Sequence, residues 1–217
     1  MKLNFARTLS ALALLCATAL PLRAQDDKAG RFDYYLLSLS WSPAWCDLTG
    51  DDRGDPQCDA GRGLTFIVHG LWPQYEQGYP ANCFTTAADP SRADTAAMTD
   101  IMGGAGLAFH EWKKHGRCSG LSARDYFATL RRARAAITMP PVFARITHDL
   151  TIDAGVVQDA FLEQNPRLSP NGVTVTCKQG LIQEVRICLT RDLAPRTCAP
   201  DAARDCTLPD ARLEAIR

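Results

Sequence analysis

The chain has four histidines, His69, His110, His115 and His148, and two of them share one nine-residue stretch. That stretch reads His110-Glu111-Trp112-Lys113-Lys114-His115-Gly116-Arg117-Cys118. On a helix, with about 100° per residue and His110 at zero, Lys114 falls at about 40°, Glu111 at about 100° and His115 at about 140°. Trp112 and Lys113 point to the far side. One face then holds two imidazoles, a carboxylate and an ammonium, where an amphipathic helix normally buries an apolar stripe. A third imidazole, His69, follows an apolar run in Phe66-Ile67-Val68-His69-Gly70-Leu71-Trp72-Pro73. It reads as the end of a strand, with the backbone turning at Gly70, and binding groups gather at such junctions.

Histidine both accepts and donates protons near neutral pH, and lysine stabilises an anion. Together these suit cleavage of an RNA phosphodiester. A base removes the 2′-OH proton, that oxygen attacks phosphorus, and an acid protonates the leaving 5′-oxygen. The nucleophile lies in the substrate, so the reaction needs neither a serine nor a metal, and DNA lacks the hydroxyl. Three rival readings stand beside this one. A solvated face accounts for the lysine and glutamate, but poorly for two histidines together. A zinc site takes histidines at i and i+4 around a glutamate. Here the position four after His110 is Lys114, a cation. Taken alone, a strand-end histidine such as His69 is more often a hydrogen-bonded structural residue, and His148 reads as structural or surface.

These side chains need elements to hold them. Residues 32–41 and 64–69 read as buried strands, and 49–62 and 75–94 as loops. Helices are predicted over 92–102, stopped by Gly103-Gly104, and over 107–115, stopped by Gly116. A third starts at a Ser122–Asp125 capping box and runs to 137, before Pro140-Pro141, and a fourth covers 153–164. Residues 173–178 and 181–189 form a hairpin around Gln179-Gly180, and the tail after Arg191 is irregular. Strands, then helices, then strands imply an α+β fold, a central antiparallel sheet flanked by helices.

Residues 1–24 read as a secretory signal peptide cut after Ala24, with a basic start and an apolar run from Leu9 to Leu20. That run is short for a membrane span, and Leu15 is too bulky for a lipid attachment at Cys16. Residues 25–217 are then one exported domain, and no other stretch is apolar enough to cross a membrane. Export leaves 21 basic against 24 acidic side chains, a balance of −3. That excludes a basic nucleic-acid coat, and positive charge must be local to a cleft. Of nine cysteines, eight remain: Cys46, Cys58, Cys83, Cys118, Cys177, Cys188, Cys198 and Cys206. An even set with no Cys-x-x-Cys pair favours disulfides over zinc.

The two histidine segments resemble the active-site segments of the ribonuclease T(2) family. The resemblance extends to Trp41-Ser42-Pro43, to Asp125-Tyr126-Phe127 and to the terminal cysteine hairpin, and so takes in most of residues 25–217. It implies that His115 is the general base and His69 the general acid, that His110 holds the phosphate, and that Glu111 and Lys114 stabilise the pentacovalent phosphorus. The implied product is a 2′,3′-cyclic phosphate, later opened by water. Trp72 would flank the site and stack on a base, a contact any base can make. The implied pairing is Cys83–Cys118, with Cys46–Cys58, Cys177–Cys206 and Cys188–Cys198 expected alongside. The implied enzyme is a monomer without metal or cofactor, acting on single-stranded RNA. One departure is Gln74, where many members place an acidic residue or asparagine near a base pocket. Tyr79 and Tyr75 are the aromatic candidates for that pocket. The alternative is a protein of the same fold that binds RNA or a partner without cleaving it. Its mark would be a lost histidine, and here every expected position is filled.

Overall fold

The computed structural model describes residues 27–217. The expected signal peptide lies outside the described residues. Six strands form one sheet: β1 (Tyr34–Trp41), β2 (Phe66–Gln74), β3 (Leu150–Ile152), β4 (Val173–Lys178), β5 (Leu181–Leu189) and β6 (Ala211–Leu213). Their order is β2-β1-β5-β6-β3, with β4 also on β5. All pairings are antiparallel except β5–β6, which meet in parallel at Leu181 and Arg212. The helices are α1 (Ser42–Trp45), α2 (Arg92–Ala96), α3 (Thr99–Met102), α4 (Ala105–Lys114), α5 (Ala123–Ala135) and α6 (Gly155–Gln164). The architecture is thus α+β, stapled by four disulfides, Cys46–Cys58, Cys83–Cys118, Cys177–Cys206 and Cys188–Cys198.

Alternation along β1 divides the molecule. Tyr35, Leu37, Leu39 and Trp41 join the main core with Val185, Ile187 and the inner faces of α4, α5 and α6. Tyr34 and Leu36 face the other way, against Cys188 and Cys198. That second face becomes the floor of the functional cleft.

Strand β2 corrects the sequence reading most. It does not end at His69 but runs on to Gln74. Leu39 pairs with Val68 and Ser38 with Gly70, so His69 is the extra residue of a β-bulge. Phe66, Val68 and Leu71 all enter the core, a spacing of two and then three. The bulge therefore resets the alternation and keeps Ile67, His69, Trp72 and Gln74 on the cleft side. Pro73 is tolerated because β2 is an edge strand.

Other boundaries moved for local reasons. The predicted 92–102 helix breaks at Ala97-Met98 into α2 and α3, and α2 starts on a full Ser91–Asp94 capping box that the sequence reading missed. At α5 the box is half made. The Asp125 N–H donates to Ser122 Oγ, but the Asp125 carboxylate accepts from the Ser122 hydroxyl rather than the backbone. The predicted loop over 49–62 contains helical turns, Cys46–Gly50, Asp51–Arg53 and Pro56–Cys58, within the Cys46–Cys58 staple. Strands β3 and β6 fall where no strand was expected, being too short for an alternation signal. The β4–β5 hairpin matches its predicted limits, turning through positive φ at Gln179 and Gly180.

Candidate active site

A cleft of about 450 Å³ opens on the second face of the sheet, between β2, β5, α4 and the loop after β2. His69 comes from the bulge of β2. Its Nδ1 lies 2.5 Å from Glu184 Oε1, and its Nε2 lies 3.6 Å from Glu111 Oε1. Glu111 is 1% exposed. Its other oxygen accepts from Trp72 Nε1 at 2.6 Å. A side chain at position 70 would collide with that carboxylate and that indole, so Gly70 is what lets α4 approach β2.

His115 is not in the last helical turn, as predicted, but caps α4 with φ −119°. Leaving the helix swings the imidazole into the cleft wall, where it is 4% exposed. It stacks on Trp72, ring centres 5.1 Å apart and planes 29° apart. The same indole meets His69 edge-on at 5.2 Å. Trp72 thus touches both imidazoles and holds Glu111. His110 and Lys114 stand one turn apart on the cleft face of α4, and His110 is exposed. The far side of α4 is pinned by Asp89, which accepts from Trp112 Nε1 at 2.9 Å and pairs with Lys113 and Arg117.

These surroundings push the titrating groups apart. Burial, with Lys114, His69 and His110 as cationic neighbours, pulls His115 down to about 3. Burial works against charge on His69 too, yet its hydrogen bond to Glu184 and the carboxylates of Glu184 and Glu111 lift it above the ordinary value. Burial raises Glu111, opposed by His69, Trp72 and Lys114. Burial and Lys114 lower His110. At neutral pH the cleft therefore offers an uncharged imidazole, His115, and one biased toward imidazolium, His69. A pair split in this way suits a base and an acid.

A family model for the Ribonuclease T2 family matches residues 32–198. The chain belongs to the ribonuclease T2 family. A ribonuclease of Aeromonas hydrophila is 46% identical over 99 residues, 46% of this chain and 43% of that protein. Ribonuclease I of Escherichia coli (strain K12) is 25% identical over 229 residues, covering 83% of this chain and 85% of that one. The chain spans about half the length of the curated relatives it matches at 30% identity or more. The RNase-related protein from Calystegia sepium superposes with a TM-score of 0.63 at 19% identity, over 86% of this chain and 98% of that one. At that identity the likeness shows the fold.

Within this ribonuclease T2 fold, all eight site residues named from the sequence line the one cleft: His69, Trp72, Gln74, Tyr79, His110, Glu111, Lys114 and His115. Gln74 is buried, its amide donating to Pro73 O at 3.0 Å, whereas Tyr79 is 54% exposed. Tyr75 does not line the cleft, and its hydroxyl donates to Asp27 at 3.2 Å. His148 is exposed and away from the cleft. The sequence reading missed Glu184, Arg186, Gln183 and Asp201. A signal was there: Glu184 and Arg186 are two apart in a strand whose other residues, Gln183 aside, are apolar, and so share a face. A second hollow, about 340 Å³, lies against His69 from the other side, beside Ser40, Trp45, Gln57 and the turn into α4. Among the described residues no group of three or more His, Cys, Asp or Glu is placed to hold a metal ion, and no helix is long and apolar enough to cross a membrane.

Proposed function

We propose that the protein is an endoribonuclease that cleaves single-stranded RNA with little base preference and without a metal or cofactor. The observation that carries this reading is the placement of His69 and His115 on one indole, beside the buried carboxylate of Glu111. In the first step His115 takes the 2′-OH proton. The O2′–P bond forms and the P–O5′ bond breaks. The leaving O5′ takes a proton from His69. Glu111 and Lys114 stabilise the pentacovalent phosphorus, and His110 holds a phosphate oxygen. In the second step water loses a proton to His69 and bonds to phosphorus. The P–O2′ bond breaks, and O2′ takes its proton back from His115. The products are 2′,3′-cyclic phosphate ends, then 3′-phosphate ends.

An anionic phosphate beside His115 raises its affinity for a proton when the proton must be held. Since His69 serves the leaving side, the hollow beyond it is placed to receive the leaving nucleotide. Trp72, Gln74 and Tyr79 flank the other side, where the retained base sits. The chain works as an exported monomer whose residues 1–24 are removed. Mass analysis of the exported protein then gives a chain starting at Gln25.

The test is incubation of oxidised protein with RNA in excess EDTA, followed by analysis of the ends. Cyclic-phosphate ends are the expected result. Cleavage that stops in EDTA defeats the metal-free mechanism, and RNA left intact at every pH favours a binding protein.

A further inference from the structure

Resting on that reading, we infer that Glu184 is a positioning residue for His69: its carboxylate fixes the proton on Nδ1 and leaves Nε2 as the only nitrogen that exchanges protons with substrate. Glu184 comes from β5, 115 residues away in sequence, and is 1% exposed. Its Oε1 lies 2.5 Å from His69 Nδ1. Its Oε2 accepts from Arg186 Nε at 2.9 Å and pairs with Nη2 at 2.7 Å. Both carboxylate oxygens are therefore committed, and neither is turned to the cleft as a free base.

Ionisation of Glu184 settles the direction of the bond. Burial resists it, but His69 and then Arg186 hold the carboxyl at about 2. Above that pH the group only accepts, so His69 Nδ1 must donate. Neutral His69 then has a bare Nε2, and its cation has an Nε2–H. Those are the two forms the two steps demand. The cation gives the Nε2 proton to O5′, and the neutral ring takes one from water at the same nitrogen. Without Glu184 the neutral ring is free to hold its proton on Nε2, which is useless for the second step. Carboxylates that hold a functional imidazole in this way set both tautomer and basicity.

The other charged groups facing His69 do not replace Glu184. Glu111 lies 3.6 Å from Nε2, on the working side, and also favours the cation. Arg186 opposes it. His110 and Lys114 on α4 and His115 at its end line the same cleft, and each opposes it when charged. Glu184 alone among them hydrogen-bonds the imidazole.

The test follows His69 rather than stability alone. In the native protein kcat/KM falls at alkaline pH as His69 loses its proton. In Glu184→Gln that alkaline limb moves toward acid by about one pH unit or more. Glu184→Asp, which keeps the charge, stays closer to native. Arg186→Gln keeps the pair but removes an opposing charge, so its limb moves the other way. Nitrogen NMR of His69, which needs no RNA, reports the neutral proton on Nδ1 in native protein and a lower titration in Glu184→Gln. A limb that stays in place while kcat falls in Glu184→Gln overturns the inference, as does an unchanged His69 titration. Native protein that leaves RNA intact overturns the ribonuclease reading itself, and the NMR result separates the two failures.

Discussion

Trp72 bears on three groups at once, which makes it the sharpest probe among the cleft residues. Its indole N–H holds Glu111, its face stacks on His115 and its edge meets His69. Trp72→Phe keeps a ring against both imidazoles but leaves a buried carboxylate oxygen without its donor. Such an orphan costs about 1–3 kcal/mol or more where the group is charged. The expected result is a loss of kcat with KM changed less, read from initial rates on short RNA. His69→Ala and His115→Ala each lose most turnover while still binding a mononucleotide, checked by cleavage assay and calorimetry. Full activity in either removes its residue from the mechanism. For the native enzyme, kcat/KM rises with pH as His115 gives up its proton and falls as His69 loses its own, at a pH higher than an unperturbed histidine would set. Three of the cleft groups, His110, Glu111 and Lys114, were legible in the sequence because they share one short helix, where spacing decides the face, and His115 follows at its end. The pairing of Glu184 with His69 was not, since the spacing of Glu184 and Arg186 marks a shared strand face but no local pattern links residues 115 apart.

At the scale of elements, the bulge in β2 and the end of α4 decide where the imidazoles point. The sequence carried the bulge in the core spacing of Phe66, Val68 and Leu71, but the pattern reads equally well as a strand that stops at Gly70. Only the partner strand separates the two, because a bulge is defined by the residues opposite it. His115 shows the same limit. The periodic reading put it on the helix, whereas Gly116 follows in a position where a Cβ would press on Trp112 and Tyr126, and the backbone leaves the helix before it. The Cys83–Cys118 disulfide then fastens this end to the loop after β2, and Asn82 N–H donates to Lys114 O at 2.7 Å beside it. The bridge closes 35 residues, so replacing both cysteines with serine is expected to cost about 4 kcal/mol. Urea unfolding measures that loss. Because the staple sits three residues from His115, kcat should fall as well at denaturant-free conditions, which a disulfide remote from the cleft would not cause. Cys177–Cys206, which borders neither hollow, supplies the control.

For the whole molecule, the balance of −3 over residues 25–217 limits how RNA can be held. The cleft itself lines up two permanent cations, Lys114 and Arg186, and Arg186 is already paired with Glu184. A protein that neutralises few phosphates releases few counterions, so its binding depends weakly on salt. With two phosphate contacts the log–log slope for a single strand is about −1.4, whereas eight contacts would give about −5.6. Raising salt fourfold then weakens binding by about sevenfold in the first case and by more than about a thousandfold in the second. The measurement is Kd for a short, uncleavable 2′-deoxy oligonucleotide across that range. A shallow slope supports a cleft that holds RNA by a local charge cluster and by base contacts at Trp72 and Tyr79. A steep slope means that arginines outside the cleft, such as those along α5, also touch the strand, and that the site extends well beyond its walls.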